Sequence, residues 1–384
     1  EGGTESYLER VLPAFVRAGA ELTVLARRVR DEGAFGVPVR EVGWASDTEP
    51  PSERGAAAIA RAIEALAPHA VLTSNVFDTM VMSAARRAPK LIVRVHDHRL
   101  FCPQGDRLFP HGRTPCARPM GTMCLAHAAL NGCAAGVHLK TLHLLRAREE
   151  LRAIVAQADH LIVSSRFMQR LCVLNGIREE KVVVIPPPIE GDAATVVAPR
   201  PARDRIFFAG RLVRDKGVAS LIRALGLIPA NVRPTLAVAG QPTSESTGFP
   251  HLARKVGVAV TMLGRLDARG LNAELDASSA AAMPSLLPEP FGLAGIEAQA
   301  RGRPVVAYAA GGIPEWMGAG GILVSLGDER ALARAILDLH DRERWPGFAT
   351  AALQQARHCS ARAHAGDVLA LCDAPREEAM FALS

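Results

Sequence analysis

Aromatic side chains make up only 4% of the 384 residues, with three tryptophans and two tyrosines among them. The core must therefore be built from Ala, Val, Leu and Ile. That favours helices packed on buried parallel strands over an aromatic-rich β-sandwich. No apolar run reaches the roughly 18–20 residues that cross a bilayer, and no stretch reads as a signal peptide. There is no Lys/Arg block, no recognition-helix motif and no interleaving of basic with aromatic residues, so a nucleic-acid partner is not expected. No Asp-x-Asp motif is present, no C-x2-C knuckle, and no G-x-G-x-x-G between a strand and a helix. Seven cysteines is an odd number without a small-secreted-domain spacing, which predicts reduced thiols in a cytosol.

What is present is a balanced soluble composition, 49% hydrophobic and 22% charged. The length exceeds one ordinary core, so two domains are expected. A net charge of +6 fits anionic partners such as nucleotide phosphates.

Short apolar runs rich in β-branched residues recur between helical stretches: Glu21–Ala26, Ala70–Thr73, Leu91–His96, Leu161–Ser164 and Val182–Ile185. Ser6–Ala18, Glu53–Leu66, Val137–Ala156 and Arg166–Asn175 read as the helices between them. Such alternation implies a parallel sheet with crossover helices. The chain opens on Glu1-Gly2-Gly3, so it reads as starting after its first β-strand. Ile185-Pro-Pro-Pro-Ile189 then begins a stiff linker, because three prolines fix φ and remove ladder donors. The alternation restarts with Arg205–Phe208, Pro234–Ala239, Val258–Leu263, Ala280–Met283, Pro304–Ala307 and Gly321–Val324. The resulting division is residues 1–188 as an N-terminal, acceptor-side Rossmann-like domain, 189–204 as linker, 205–350 as a C-terminal Rossmann-like domain, and 351–384 as a helical segment returning to the first domain. Residues 100–136 break the pattern and read as an insertion after the Leu91–His96 strand.

Three segments at strand ends carry phosphate chemistry. In Phe207-Phe-Ala-Gly-Arg-Leu-Val-Arg-Asp-Lys-Gly217, Gly210 permits a tight turn, and Arg211 and Lys216 offer two cations to a diphosphate. A solvated loop with incidental charges is the plainer alternative. In Ser285-Leu-Leu-Pro-Glu-Pro-Phe-Gly-Leu-Ala-Gly-Ile-Glu297, the prolines bar a helix before Phe291 and Gly292 permits close approach of a ligand. A helix starting near Leu293 would turn its free N–H groups toward an anion. Glu289 lies before that site and Glu297 one turn beyond it. Tyr308-Ala-Ala-Gly-Gly-Ile-Pro-Glu315 adds a close-approach turn at the same carboxyl edge.

On these residues the chain resembles the family 4 glycosyltransferases, retaining enzymes of the GT-B fold. The carriers are Gly210-Arg211-Leu212 with Lys216-Gly217, the E-x7-E pair Glu289…Glu297 around Pro290-Phe291-Gly292, and Gly311-Gly312-Ile313-Pro314-Glu315. Gly2-Gly3-Thr4-Glu5 is similar to the family's N-terminal glycine loop, and Val95-His96-Asp97 to its histidine segment.

The resemblance implies an α/β GT-B architecture of two facing Rossmann-like domains with a donor cleft between them. It also implies a nucleotide-sugar donor and no metal in catalysis. Arg211 and Lys216 would grip the diphosphate, with backbone N–H groups of Gly292, Leu293 and Ala294. Glu297 would hold the ribose, Glu289 the donor sugar, and Gly264-Arg265-Leu266 would flank the base. His96 would stand by the sugar, and Gly2 and Gly3 would line the cleft. A lone histidine ending a strand has the plainer reading of a packed or hydrogen-bonded residue.

Cys102, Cys116, Cys124 and Cys133 fall within the insertion. A structural metal there is one expectation, and reduced or partly paired thiols the other. Cys172, Cys359 and Cys372 lie on apolar helical stretches and read as core residues. The basic helix Val137–Arg152 suits an anionic acceptor, the inner face of a membrane, or plain packing on its own sheet. The competing functions are another GT-B enzyme, such as a nucleotide-sugar epimerase or a phosphorylase-like enzyme, and a non-catalytic nucleotide-sugar-binding partner protein.

Overall fold

A computed structural model of the chain describes residues 3–28, 36–44, 52–109, 114–133, 138–189, 194, 196–372 and 379–383. The strands are β1 (Glu21–Ala26), β2 (Val39–Glu41), β3 (Ala70–Ser74), β4 (Leu91–Val95), β5 (Leu108–Phe109), β6 (Thr114–Pro115), β7 (His160–Val163) and β8 (Val182–Val184). They continue as β9 (Arg205–Ala209), β10 (Thr235–Ala239), β11 (Val260–Gly264), β12 (Ala280–Met283), β13 (Val305–Tyr308), β14 (Gly321–Val324) and β15 (Ala379–Leu383). The helices are α1 (Gly3–Arg17), α2 (Glu53–Leu66), α3 (Thr79–Ala85), α4 (Met123–Leu130), α5 (His138–Val155), α6 (Arg166–Leu174) and α7 (Val218–Gly226). After them come α8 (Phe249–Lys255), α9 (Ala268–Asp276), α10 (Leu293–Ala300), α11 (Ile313–Met317), α12 (Glu329–His340), α13 (Trp345–Ala356) and α14 (Ala361–Cys372).

The chain divides into two compact units, Glu1–Pro188 with Ala361–Ser384, and Ile189–Ser360. Unit 1 holds a parallel sheet in the order β2-β1-β15-β3-β4-β7-β8. Its central strands are buried along their length, β3 at every residue and β4 likewise. Burial on both faces explains why these runs are continuously apolar rather than alternating. Helix boundaries follow side-chain caps: Ser52 Oγ accepts from Gly55 N at α2, and the Asp78 carboxylate accepts from Met80 and Val81 N at α3.

β15 lies beside β1, parallel to both β1 and β3, with Met380 opposite both Leu22 and Ala70. Local sequence could not place it, since strand neighbours in a sheet need not be neighbours in sequence.

Unit 2 holds a parallel sheet in the order β11-β10-β9-β12-β13-β14. Counted within the unit, that is the doubly wound order 3-2-1-4-5-6. Helices cover both faces, and two apolar clusters form. One is centred on Ile206, Leu221, Val238 and Ile336, the other on Phe207, Ile296, Val305 and Trp316. Burying each large aliphatic side chain contributes about 1.5–3 kcal/mol.

Among the described residues of 189–204, several are tied into unit 2. Ile189 is buried, and its N–H donates to Cys359 O, while Arg200 pairs with Asp204 and donates to His340 O. These contacts all lie within unit 2. The helical stretch after 351 is interrupted. α13 ends at Ala356, and Ser360 is extended (φ −73°, ψ 147°). The return to unit 1 therefore starts at Ala361, where Ala365, Val368 and Cys372 pack against Leu8, Val11 and Phe15.

Candidate active site

Strand order reverses between β9 and β12 in unit 2, and the loops at their carboxyl ends open a crevice there. The β9 loop contains Gly210 and Arg211, then a short 3-10 turn over Arg214–Lys216. Gly217 follows in the left-handed region at φ +77°. A Cβ at Gly217 would stand 1.8 Å from Pro284 O, so only glycine fits. That contact seats the β9 loop on the β12 loop, and Leu286 N donates to Asp215 O at 2.8 Å.

The β12 loop is held equally firmly on its other side. Gly312 N donates to Glu289 O at 2.7 Å, and a Cβ at Gly311 would meet Glu289 O at 2.2 Å. Phe291 is buried, and its carbonyl accepts from Trp316 Nε1. Clamped between two neighbours, the loop presents Glu289, whose carboxylate accepts from Lys216 Nζ at 2.6 Å. The pair is shielded, with side-chain exposures of 20% and 9%. A shielded pair is costly to break singly, because the surviving charge stays desolvated.

Gly292 (φ +93°) starts α10 without a side-chain cap. Gly295 N returns to Gly292 O, while the N–H groups of Leu293 and Ala294 have no intrahelical acceptor. These donors and the helix dipole favour an anion. Glu297 is half-buried one turn inside, lining a small cavity with Phe207, Ala209, Leu275, Met283 and Ala294. Arg211 is exposed.

Gly264 ends β11 at φ +69° and its carbonyl accepts from Gly240 N. Arg265 follows exposed, and Leu266 packs partly buried on the apolar cluster around Phe207. The tertiary fold thus brings the residues read from three separate segments to one edge of one sheet.

In unit 1, Gly3 is the first residue of α1 rather than part of a loop, and Gly2 lies outside the described residues. His96 follows β4 directly. It is half-buried, with Nε2 2.6 Å from Ser74 Oγ at the end of β3. Burial, together with Arg94, Arg99 and His364, holds its pKa well below the usual 6.5, so the ring is neutral at pH 7. Sequence reasoning missed the residues that surround it, Tyr7, Ser74, Arg94 and His364. No local signal marks them.

The insertion folds as the β5–β6 hairpin followed by α4. Arg107 pins it, donating to the carbonyls of Phe101, Cys116 and Arg118. Cys102, Cys116, Cys124 and Cys133 are all free and half-buried. Burial and their mutual repulsion push Cys133 up to about 11 and raise Cys124. Cys124 and Cys133 are therefore thiols rather than thiolates at neutral pH. Among the described residues no three His, Cys, Asp or Glu side chains are arranged to hold a metal ion. Cys172, Cys359 and Cys372 are buried.

A doubly wound sheet whose switch-point loops present Lys216, Glu289 and an open helix N-terminus is a Rossmann-like unit whose switch point suits an anion. Residues 1–192 match the family described as Glycosyltransferase Family 4, and residues 203–342 match Glycosyl transferases group 1. The chain belongs to glycosyltransferase family 4.

A D-inositol 3-phosphate glycosyltransferase of Mycolicibacterium smegmatis is 34% identical over 217 residues, covering 52% of this chain and 49% of that protein. A glycogen synthase of Mycobacterium tuberculosis is 33% identical over 196 residues, 49% and 47% of the two chains. The chain spans about half the length of the curated relatives it matches. Among solved structures, a glycosyltransferase from Rickettsia africae superposes with a TM-score of 0.70 at 16% identity, covering 96% and 93% of the two chains. Anabaena HepE in complex with UDP and glucose superposes with a TM-score of 0.68 at 19% identity, covering 96% of both. These likenesses give the fold, GT-B, with two Rossmann-like units. Among the described residues no helix is long and apolar enough to cross a membrane.

Proposed function

We propose that this chain is a retaining glycosyltransferase that moves a sugar from a nucleoside-diphosphate sugar to an acceptor. The observation that carries the reading is the shielded Lys216–Glu289 pair beside the uncapped start of α10 at the switch point.

As the bond from the anomeric carbon to the diphosphate breaks, negative charge gathers on the leaving oxygens. Lys216, Arg211 and the N–H groups of Leu293 and Ala294 are the groups suited to stabilise it. Glu297 is assigned to the ribose hydroxyls and Glu289 to the donor sugar. The Glu289 carboxylate also orients Lys216. His96 is assigned to the sugar as a neutral hydrogen-bonding group. With metal-free electrostatics of this kind, attack on the same face as departure gives retention, the donor phosphate oxygen taking the acceptor's proton. The acceptor class extends no further than a hydroxyl-bearing glycan, lipid or small metabolite. A cytosolic location, with peripheral contact to a membrane surface, belongs to the same proposal.

A thermal-shift series across nucleoside diphosphates and their sugars tests donor binding. Slow donor hydrolysis without acceptor then separates a catalyst from a binding protein. The anomeric proton coupling of the product reads retention directly. Wild-type turnover in Lys216→Ala or Glu289→Gln would remove the site assignment.

A further inference from the structure

Beneath the carboxyl ends of β3 and β4 lies a buried polar cluster that the donor loops do not use. Arg94, 2% exposed within β4, donates to Ile185 O at 2.9 Å, and its guanidinium lies 5.0 Å from the centre of the Tyr7 ring. Tyr7, from α1, meets His96 edge-on at 4.9 Å and His364 edge-on at 5.4 Å. The Tyr7 hydroxyl is 2.8 Å from His364 Nε2, and His364 Nδ1 is 2.8 Å from Pro186 O.

Chemistry fixes the direction of both bonds to His364. Pro186 O can only accept, so the proton of His364 sits on Nδ1. Burial and Arg94 hold the His364 pKa at about 3, so the ring is neutral and its Nε2 is a lone-pair acceptor. Tyr7 O–H must then donate to it. The tyrosine is fixed at its hydroxyl by His364, on its face by Arg94, and at its edge against His96. At the other side of His96, Nε2 is engaged with Ser74 Oγ at 2.6 Å. The charged or titratable groups around the ring are Arg94, Arg99, Tyr7 and His364.

We propose that Ser74, Tyr7 and His364 are positioning residues for His96, committing its Nε2 to Ser74 and leaving Nδ1 as the nitrogen offered to substrate. The C-terminal helix α14 thereby takes part in the chemistry of unit 1 through His364. This rests on the reading of His96 as a substrate-facing group.

The test labels histidine with 15N in the full chain and reads both rings directly, with His96→Asn and His364→Gln giving the assignments. The expected result at pH 7 is two neutral rings, His364 protonated on Nδ1 and His96 in a single tautomer. Ser74→Ala and His364→Leu should mix the His96 tautomers and lower kcat about five- to tenfold, the usual worth of one neutral hydrogen bond. KM for the donor should rise less than kcat falls, since the groups assigned to the diphosphate and ribose are untouched and only the His96 contact to the sugar is disturbed. Ser74→Thr and His364→Gln, which keep hydrogen-bonding groups in place, should recover most of the loss.

Should His364→Leu fail to fold, Tyr7→Phe takes its place, removing one hydroxyl and leaving the ring. A single unchanged tautomer with wild-type kcat in Ser74→Ala overturns the proposal. So does a loss in Ser74→Thr as large as in Ser74→Ala. The tautomer readout needs no turnover. A wild-type chain that transfers no sugar but shows the locked ring sinks the functional reading and leaves the network standing; a mixed ring in an active wild type does the reverse.

Discussion

Unit 2 carries its polar chemistry in loops, whereas unit 1 carries it in side chains buried under a sheet edge. In unit 2, glycines at 217 and 311 let three loops touch backbone to backbone, and the charged pair Lys216–Glu289 is set on that platform. In unit 1, Arg94, Tyr7, His96 and His364 form a packed polar core with few exposed atoms. The two also close differently. Every strand of unit 2 comes from one continuous segment, while unit 1 borrows α14 and β15 from the far end of the chain. Tyr7 and His364 are 357 residues apart. Such non-local closure slows folding, because loop entropy is lost before the contact forms. A unit built from contiguous βα repeats has no such step, which teaches that similar sheets need not share folding order or sensitivity.

The hardest blow to that contrast is deletion of residues 373–384. It removes β15 from between β1 and β3, and unit 1 should lose its cooperative transition altogether, a loss on the scale of its whole stability of about 5–15 kcal/mol. Unit 2 should still melt, so calorimetry with limited proteolysis decides whether the units are independent. A single unchanged transition would refute it.

Next in size is Gly217→Ala. Its Cβ has no room beside Pro284 O and φ is positive, so unit 2 should lose about 3–5 kcal/mol. The upper or lower of two melting transitions, whichever belongs to unit 2, should move alone. Lys216→Ala follows. Removing the ammonium from the shielded Glu289 carboxylate should cost about 3 kcal/mol in stability, and the lost donor about a hundredfold in kcat. Glu289→Gln strands the Lys216 ammonium instead. At 20% exposure against 9% for Glu289, that charge is the better solvated of the two, so stability should suffer less than in Lys216→Ala while turnover still falls.

A smaller effect separates the units by pH. His96 and His364 in unit 1 and His340 in unit 2 all lie below the usual 6.5 when folded, chiefly through burial. As pH falls, the unfolded chain binds these protons first. The stability tied to neutral rings is complete above about pH 6.5 and drains as pH drops toward the folded values, about 3 for His364. With two such rings against one, unit 1 should lose melting temperature faster between pH 6.5 and 4. Smallest is the thiol chemistry of the insertion. Alkylation of Cys133 at pH 7.5 should be slower than that of a free thiol and rise with pH toward about 11. Fast modification at neutral pH would show the burial of that loop to be incomplete.

Much of this was legible in the sequence. Strands such as Glu21–Ala26, Ala280–Met283 and Gly321–Val324 occupy the residues their apolar runs marked, because a strand buried on both faces leaves a continuous signature. The start of α10 at Leu293 followed from Pro288, Pro290 and Gly292 alone. The ion pair between Lys216 and Glu289 did not, since residues that lie 73 positions apart meet only once the sheet fixes which loops are neighbours. Tyr7, Ser74 and His364 gave no signal for a related reason. A buried tyrosine on an apolar helix face looks like core until its hydroxyl partner is known.

By itself the sequence determined the alternation of strand and helix, the glycines that allow close approach, and the family to which those motifs belong. These are local properties, written in periodicity and in the conformations that glycine and proline permit. Only the tertiary structure decided that β15 enters the middle of the sheet of unit 1, that Ile189 and Arg200 pack within unit 2, and that His96 is flanked by helices from both ends of the chain. Those are choices among many pairings of equally suitable apolar segments, settled by burial and by the need to satisfy every buried polar group at once.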